Sequence, residues 1–285
     1  MKSSLIILFV FILTLATGEA RVVSCSHREL CLMLEQIARE NQLTDIQTET
    51  LVNMVGDPHE FDPSTTELKK LMNAPFLITG PQELNPWIKR ILHQRSKHIE
   101  KKTISLLFSS SHLAFYPKSN AETLSHFWLY PKVYCVLKKS LEEQFTNWGY
   151  FIKKQNLCPS KQIEDDLRNS LQKISHPIIL THDALLPLLE GLMNSNTQKI
   201  VALKGSSHHE ETSPQAIKKM VDTLKAPKVI WVIETGINVP PNILKKIRSQ
   251  DLIIKLDTAN SFGTQPFSIL HELSLALNSL AEKRP

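Results

Sequence analysis

The chain has 285 residues, of which 42% are hydrophobic and 21% are charged, and its formal net charge is +5. A chain of this length exceeds the usual size of a single hydrophobic core, so we expect two lobes. The composition is ordinary for a globular protein and excludes a largely disordered chain. The lysines are spread along the sequence and do not alternate with aromatic residues in a basic block, which argues against binding to nucleic acid.

The N-terminus has the pattern of an export signal. Lys2 precedes an apolar run from Leu5 to Leu15, and residues 16–20 place small side chains where a signal peptidase cleaves. We therefore predict that residues 1–20 are a cleaved signal peptide. The apolar run is shorter than the roughly 20 residues of a membrane-spanning helix. Lipid attachment at Cys25 is the less favoured alternative, because charged residues separate this cysteine from the apolar run.

Four cysteines follow the predicted cleavage site: Cys25, Cys31, Cys135 and Cys158. In an oxidising compartment they can form disulfides, and three pairings are possible. None of them shows the C-x-x-C spacing of a zinc ribbon, which makes them poor candidates for metal ligands. We expect structural disulfides or buried free thiols, and the sequence leaves the pairing open.

Eight short runs rich in β-branched and large aliphatic residues alternate with stretches of helical periodicity. This alternation is typical of βα units that build a parallel sheet. Four runs in each half of the chain indicate two similar lobes. The runs are Arg21–Ser26, Ile46–Asn53, Phe76–Thr79 and Thr103–Phe108 in the first half, and Ile178–Leu180, Lys199–Leu203, Lys228–Ile233 and Leu252–Leu256 in the second.

The stretch between the two sets, Tyr134 to Ser175, has no strand pattern and is interrupted at Cys158-Pro159. Two helices are expected there, because proline is tolerated in the first turn of a helix. We predict an N-terminal α/β lobe at 21–133, a helical connector at 134–175 and a C-terminal α/β lobe at 176–285. The expected fold class is therefore α/β, with two sandwich lobes that each contain a four-stranded, mainly parallel sheet and enclose a cleft for metal.

Four residues that can bind a divalent metal ion follow predicted strands: His59, His126, His182 and Asp257. Taken singly, each signal is weak, because a lone histidine in a loop is usually a surface residue and an aspartate after a strand is often a helix cap. However, the carboxyl ends of parallel strands open onto one crevice, so residues at these ends can converge. Three imidazoles and one carboxylate form a ligand set that zinc or manganese accepts.

The candidate ligands lie in longer motifs, which are DPHEFDP at 57–63, HFWLYP at 126–131, THDA at 181–184 and LDT at 256–258. These motifs resemble those of the substrate-binding proteins of bacterial ABC importers for zinc and manganese, the cluster A-I solute-binding family. The resemblance extends over essentially the whole mature chain. One departure is Tyr130, which stands where the family usually has aspartate.

The resemblance implies two α/β lobes joined by a long helix, with one metal ion captured between them. It implies that His59, His126, His182 and Asp257 are the ligands. Glu234 matches a recurrent strand-end glutamate of the family, but we do not expect it to be a ligand. It further implies a periplasmic protein that delivers its ion to an ABC transporter membrane permease with a cytoplasmic ATPase. We expect a monomer without enzymatic activity. The imidazole-rich set favours Zn²⁺ over Mn²⁺, which prefers more oxygen ligands.

Two other functions fit the same residues. An exported zinc metallohydrolase would use three protein ligands, a bound water and a carboxylate base, and His59-Glu60 could supply a ligand and the base. Against this, Asp257 would close the coordination shell, and the chain contains neither H-E-x-x-H nor G-x-S-x-G. The chain could also be an adhesin or scaffold in which the metal is structural. Reversible binding without turnover would favour transport over hydrolysis.

A second cluster of possible ligands, His208-His209-Glu210-Glu211, precedes the helix start at Ser213-Pro214. Adjacent histidine side chains diverge on most backbones, so we expect this cluster to be a solvated loop. A loop that collects metal with low affinity is the alternative.

Overall fold

The structure is a computed structural model that describes residues 21–50, 62–80, 87–97, 102–105, 115–116, 126–153, 158–193, 199–204, 212–235, 239–257 and 266–282. The predicted signal peptide, His59 and the cluster at 208–211 lie outside these residues. Among the described helices, none combines the length and the hydrophobicity of a membrane span.

Two four-stranded sheets form the framework of the molecule. Their strand orders are β2-β1-β3-β4 and β6-β5-β7-β8, and all six described pairings are parallel. The predicted fold class, an α/β protein with two lobes, is thereby confirmed. The strands are β1 (Arg21–Cys25), β2 (Ile46–Thr50), β3 (Phe76–Thr79), β4 (Lys102–Ser105), β5 (Ile178–His182), β6 (Ile200–Lys204), β7 (Ile230–Glu234) and β8 (Leu252–Leu256).

Three strands of the second sheet, β5, β6 and β7, end one or two residues later than the sequence pattern indicated. His182 pairs with Lys204, and Glu234 pairs with Leu256, so the ladder includes both residues. His182 is therefore the last residue of β5 and does not lie in the loop after it. The ends of two other predicted strands, at 51–53 and 106–108, lie outside the described residues.

Helices cover both sheets and fill the stretch between them. Ser64 begins α2 with a capping box shared with Glu67, and the Ser213 side chain accepts a hydrogen bond from the Ala216 amide to begin α7. The helices are α1 (Arg28–Asn41), α2 (Thr65–Asn73), α3 (Trp87–Arg95), α4 (Pro131–Asn147), α5 (Ser160–Gln172), α6 (Leu186–Leu192), α7 (Pro214–Thr223), α8 (Pro241–Leu244) and α9 (Ser268–Glu282). The two helices predicted between the sheets are α4 and α5, and the exact lobe boundaries stay a prediction.

Helices α4 and α5 tie the two sheets together. One cluster of buried hydrophobic residues extends from Val23 in β1 through both helices to Leu180 in β5. Polar contacts add to it, since Lys138 on α4 forms a salt bridge of 2.6 Å with Glu40 on α1. On the other side, Ser170 of α5 and Ser274 of α9 share a buried hydrogen bond of 2.7 Å. The connector is thus packed against an element of each lobe.

The two lobes repeat one arginine arrangement. Arg95, at the end of α3, donates hydrogen bonds to the carbonyl oxygens of Leu71 and Ala74, both at 2.8 Å, where the chain leaves α2. Arg248, after α8, donates in the same way to Leu224 at 2.8 Å and Ala226 at 3.0 Å, where the chain leaves α7. Each arginine satisfies carbonyl groups that the end of a helix leaves exposed. The shared strand order and these two caps indicate that the lobes are structural duplicates.

The cysteines pair as Cys25 with Cys31 and as Cys135 with Cys158, and none of them is free. The first pair joins the end of β1 to α1. The second joins α4 to the residue before Pro159, which precedes α5. Disulfides are typical of exported proteins, so this pairing agrees with the predicted signal peptide.

Removal of the Cys135–Cys158 disulfide should destabilise the connector. The bond closes a loop with a sequence separation of 23 residues, for which the loss of unfolded-state constraint is worth about 3 kcal/mol. Both cysteines are only half-buried, so alanine leaves little cavity. We expect urea denaturation of Cys135→Ala/Cys158→Ala to show a free energy of unfolding lower by about that amount. A difference below about 1 kcal/mol would contradict a stabilising role.

Glu29, in the first turn of α1, is a buried carboxyl group with a side chain that is only 5% exposed. Burial raises the pKa of Glu29 from 4.5 to about 7, against the opposing effects of its own backbone amide and of Arg28. The folded chain therefore holds this proton more tightly than the unfolded chain does. Ionisation of Glu29 destabilises the fold as the pH rises through this interval.

Replacement of Glu29 by glutamine should remove this pH-dependent penalty. At pH 8 we expect Glu29→Gln to raise the free energy of unfolding by about 3 kcal/mol, and at pH 5 by less than about 1 kcal/mol. Chemical denaturation at both pH values measures the difference. An equal gain at the two pH values, or a loss at pH 8, would show that burial does not control this group.

Candidate metal centre

His126 and His182 lie side by side in the interior although they are distant in the sequence. Their ring centroids are 5.5 Å apart, with an angle of 74° between the ring planes. The two residues are 4% and 1% exposed. His126 comes from the segment that leads into α4, and His182 comes from the end of β5. The fold thus brings two of the four predicted ligands into contact.

The aromatic residues after His126 hold it in place. Phe127–Leu129 form a 3₁₀ turn, in which the Leu129 amide donates a hydrogen bond of 2.8 Å to the His126 carbonyl oxygen. The ring of Trp128 packs edge-on to the His126 imidazole with a centroid distance of 5.3 Å. Phe127 and Trp128 are both buried. Packing against buried aromatic residues therefore restricts the position of the imidazole.

Glu234 contacts the other histidine. Its Oε2 atom lies 3.3 Å from His182 Nδ1, and its side chain is buried. The Glu234 amide donates a hydrogen bond of 3.1 Å to the Thr181 hydroxyl oxygen, which fixes the two strand ends relative to each other. A carboxylate at Nδ1 favours the tautomer that carries the proton there. The lone pair of Nε2 is then directed away from Glu234 and can bind a metal ion.

The contact between Glu234 and His182 was not predicted from the sequence. Glu234 was identified as a recurrent strand-end glutamate, but its neighbour was unknown. The missing information is the strand order, because β5 and β7 are adjacent in the sheet although β6 lies between them in the sequence. With that strand order known, a glutamate at the end of β7 and a histidine at the end of the neighbouring β5 would have predicted the contact.

The first lobe has a matching position for His182. The register of β1 with β3 repeats that of β5 with β7, so Ser26 corresponds to Thr181 and Gly80 corresponds to Glu234. The Gly80 amide donates to the Ser26 hydroxyl oxygen at 3.1 Å, as the Glu234 amide does to Thr181.

By this correspondence His27 occupies the place of His182. His27 is fully buried, and its Nδ1 lies 2.6 Å from Ser26 Oγ. A Cβ atom added to Gly80 would lie 3.2 Å from the same ring nitrogen. The duplicated scaffold therefore places glycine in the first lobe where the second lobe has the carboxylate of Glu234.

The other two predicted ligands have different positions. Asp257 follows β8 and is exposed at the carboxyl edge of the second sheet, where Glu234 pairs with the preceding Leu256. His59 lies outside the described residues. Within the described part of the chain, no three His, Cys, Asp or Glu side chains are grouped as a metal site. The described part of the centre therefore contains the His126–His182 pair, with Glu234 at Nδ1 of His182 and Asp183 Oδ1 at 3.8 Å from Nε2 of His182.

Several solved structures share this architecture. A mutant of the laminin-binding adhesin Lmb from Streptococcus agalactiae matches with a TM-score of 0.64 at 16% identity, over 91% of this chain and 98% of that one. The periplasmic zinc-binding protein TroA from Treponema pallidum matches with a TM-score of 0.64 at 14% identity, over 93% and 99%. Fe(III)-bound YtgA from Chlamydia trachomatis matches with a TM-score of 0.63 at 15% identity, over 91% and 97%.

The chain has the fold of these proteins. It covers nearly the whole length of each, so the likeness includes both lobes and the connector. No protein-family model matches the sequence, and no curated protein is significantly similar to it. At 14–16% identity the likeness establishes the fold alone. A function must therefore be inferred from the residues of the candidate metal centre.

Loss of the negative charge behind His182 should weaken zinc binding. In Glu234→Gln the amide keeps the size of the side chain but favours the Nδ1 proton less, and we expect an affinity lower by about tenfold or more. Zinc titration in competition with a chelator measures this change. Glu40→Gln is the matched control, because Glu40 is a half-buried carboxylate in the last turn of α1 that pairs with Lys138. Equal affinities for the two variants would exclude a role of Glu234 in the centre.

Proposed function

We propose that this protein captures one divalent transition metal ion, zinc in preference to manganese, and delivers it to an ABC-type membrane permease with a cytoplasmic ATPase. One observation carries the proposal. His126 and His182, which the sequence motifs assign as ligands, lie in contact in the interior. Buried histidines in contact with each other are costly unless a hydrogen-bond partner or a metal ion satisfies their nitrogens.

The proposed ligands are His59, His126, His182 and Asp257. The contact between the two described histidines and the location of Asp257 at the same sheet edge as Glu234 support this set. His59 is assigned from its motif. Three imidazoles and one carboxylate suit tetrahedral zinc, and they supply fewer oxygen ligands than manganese prefers.

The proposed location is the periplasm, reached through the cleaved signal peptide at 1–20. The two disulfides support an oxidising compartment. We propose that the mature protein acts as a monomer with lobes at 21–133 and 176–285 and a connector at 134–175. The two sheets are joined through the packing of α4 and α5, which supports this arrangement.

Experiments can distinguish two other functions, adhesion and hydrolysis, from transport. Adhesion is supported by the shared fold with an adhesin that is named as laminin-binding. It predicts attachment to a host protein that does not require release of the metal. We propose no enzymatic activity, because the fourth proposed ligand, Asp257, would close the coordination shell and leave no position for a catalytic water. Hydrolysis of test esters or peptides by the zinc-loaded protein would contradict this assignment.

Metal analysis of the untagged mature protein tests the proposal directly. We expect one zinc ion per chain by mass spectrometry, reversible removal by a chelator and a folded apo protein. His126→Ala and His182→Ala should each lower the affinity by about 100-fold or more, because each removes a direct ligand. His271→Ala is the control, since His271 is exposed on α9. A wild-type protein without bound metal, or an equal loss in His271→Ala, would contradict the proposal.

A further inference from the structure

Tyr130 is the residue that joins the two histidine-bearing segments. It directly follows the 3₁₀ turn at 127–129, and its amide donates a hydrogen bond of 3.1 Å to the Phe127 carbonyl oxygen. Its own carbonyl oxygen accepts from the Tyr134 amide at 2.9 Å, which starts α4. The backbone from His126 to Tyr130 is thus one hydrogen-bonded unit, and movement of Tyr130 would carry His126 with it.

The side chain of Tyr130 reaches the second lobe. Its hydroxyl donates a hydrogen bond of 2.5 Å to the carbonyl oxygen of Ala184, which lies in the turn after His182. That turn is itself fixed, because the Leu186 amide donates to the Asp183 carbonyl oxygen at 2.8 Å. Tyr130 and Ala184 are both fully buried. A buried hydrogen bond between two fixed segments defines their separation more closely than apolar packing does.

A second layer of contacts keeps the Tyr130 ring in position. The ring of Tyr116 packs edge-on against it with a centroid distance of 5.0 Å. The Tyr116 hydroxyl donates a hydrogen bond of 2.6 Å to Glu164 on α5, and Glu164 also pairs with Lys132 at 2.8 Å. Burial, together with the nearby carboxylates of Asp183 and Glu234, raises the pKa of Tyr130 well above its ordinary value. The phenol therefore stays protonated and remains a hydrogen-bond donor.

We propose that Tyr130 is a positioning residue that sets the distance and angle between the His126 and His182 imidazoles through its hydrogen bond to Ala184. The effect on metal binding rests on the proposed function, in which His126 and His182 are a preformed pair of ligands. Without the hydroxyl, the two segments keep their own local structure but lose the link between them. The metal would then have to order the pair at the expense of binding affinity.

Comparison of Tyr130→Phe with Tyr134→Phe tests the proposal. Tyr134 is also buried and lies in the first turn of α4, but its hydroxyl donates a hydrogen bond of 2.7 Å to Gln36 on α1. Each variant removes one phenol oxygen and keeps the ring. A merely structural role would give similar results for both variants.

The first readout needs no metal. The imidazole nitrogen NMR signals of His126 and His182 are recorded for the apo protein at one fixed pH. We expect both sets of signals to shift in Tyr130→Phe and to stay unchanged in Tyr134→Phe. This readout separates the positioning role of Tyr130 from the proposed function. If the wild-type protein bound no zinc, the proposed function would be overturned, but the NMR signals would still test whether Tyr130 positions the two histidines.

The second readout uses the metal. We expect Tyr130→Phe to weaken zinc binding by about tenfold and to change the visible absorption of the Co²⁺-loaded protein, which reports the ligand geometry. Tyr134→Phe should leave both unchanged. Identical NMR and Co²⁺ spectra for the two variants would overturn the proposal. A Tyr130→Phe protein that fails to fold would overturn it as well, since Tyr130 would then be required for the core as a whole.

Discussion

Two imidazole rings, those of His126 and His182, are buried against each other between elements of different lobes. A buried ring nitrogen needs a partner, and an uncompensated one lowers stability. Glu234 satisfies this need at Nδ1 of His182, and the tautomer it favours directs Nε2 elsewhere. The ring of Trp128 packs on His126. Each imidazole is thus oriented by a neighbour that is not a proposed ligand, as in preorganised metal sites generally.

The two lobes share one architecture, but they differ in the residues at the strand ends next to the histidines. Both sheets have the same strand order, and both lobes cap a helix with an arginine, Arg95 or Arg248. At the equivalent strand ends, however, the first lobe has His27 with Ser26 and Gly80, and the second has His182 with Thr181 and Glu234. The carboxylate is the chemical difference between the two positions. Only the second lobe therefore has a carboxylate at this position, and that carboxylate contacts the histidine that we propose as a ligand.

The strands and helices were largely predicted from the sequence, because their patterns depend on residues that are close together in the chain. Apolar strand runs bounded by helical patterns locate β3 and β8 to the residue, and Ser213-Pro214 locates the start of α7. The ends of β5 and β7 were missed, because Thr181, His182 and Glu234 are polar and extend the ladder only through pairing with a neighbouring strand. The disulfide pairing was also beyond the sequence, since it depends on the packing of α4 against the start of α5.

The contacts of the site were harder to predict than its residues. His126 and His182 were identified from their motifs, but their contact, the position of Glu234 and the bond from Tyr130 to Ala184 depend on strand order and on the packing of the lobes. Tyr130 illustrates the point, because in the sequence it is a departure from the family's aspartate. In the fold its ring is long enough to reach the turn of the other lobe.

X-ray absorption at the zinc K-edge of the zinc-loaded mature protein directly tests whether three imidazoles and one carboxylate bind the metal. We expect a first shell of nitrogen and oxygen atoms at about 2.0 Å, with the multiple-scattering features of three imidazole rings. A shell that contains sulfur at about 2.3 Å, or one without imidazole scattering, would contradict it.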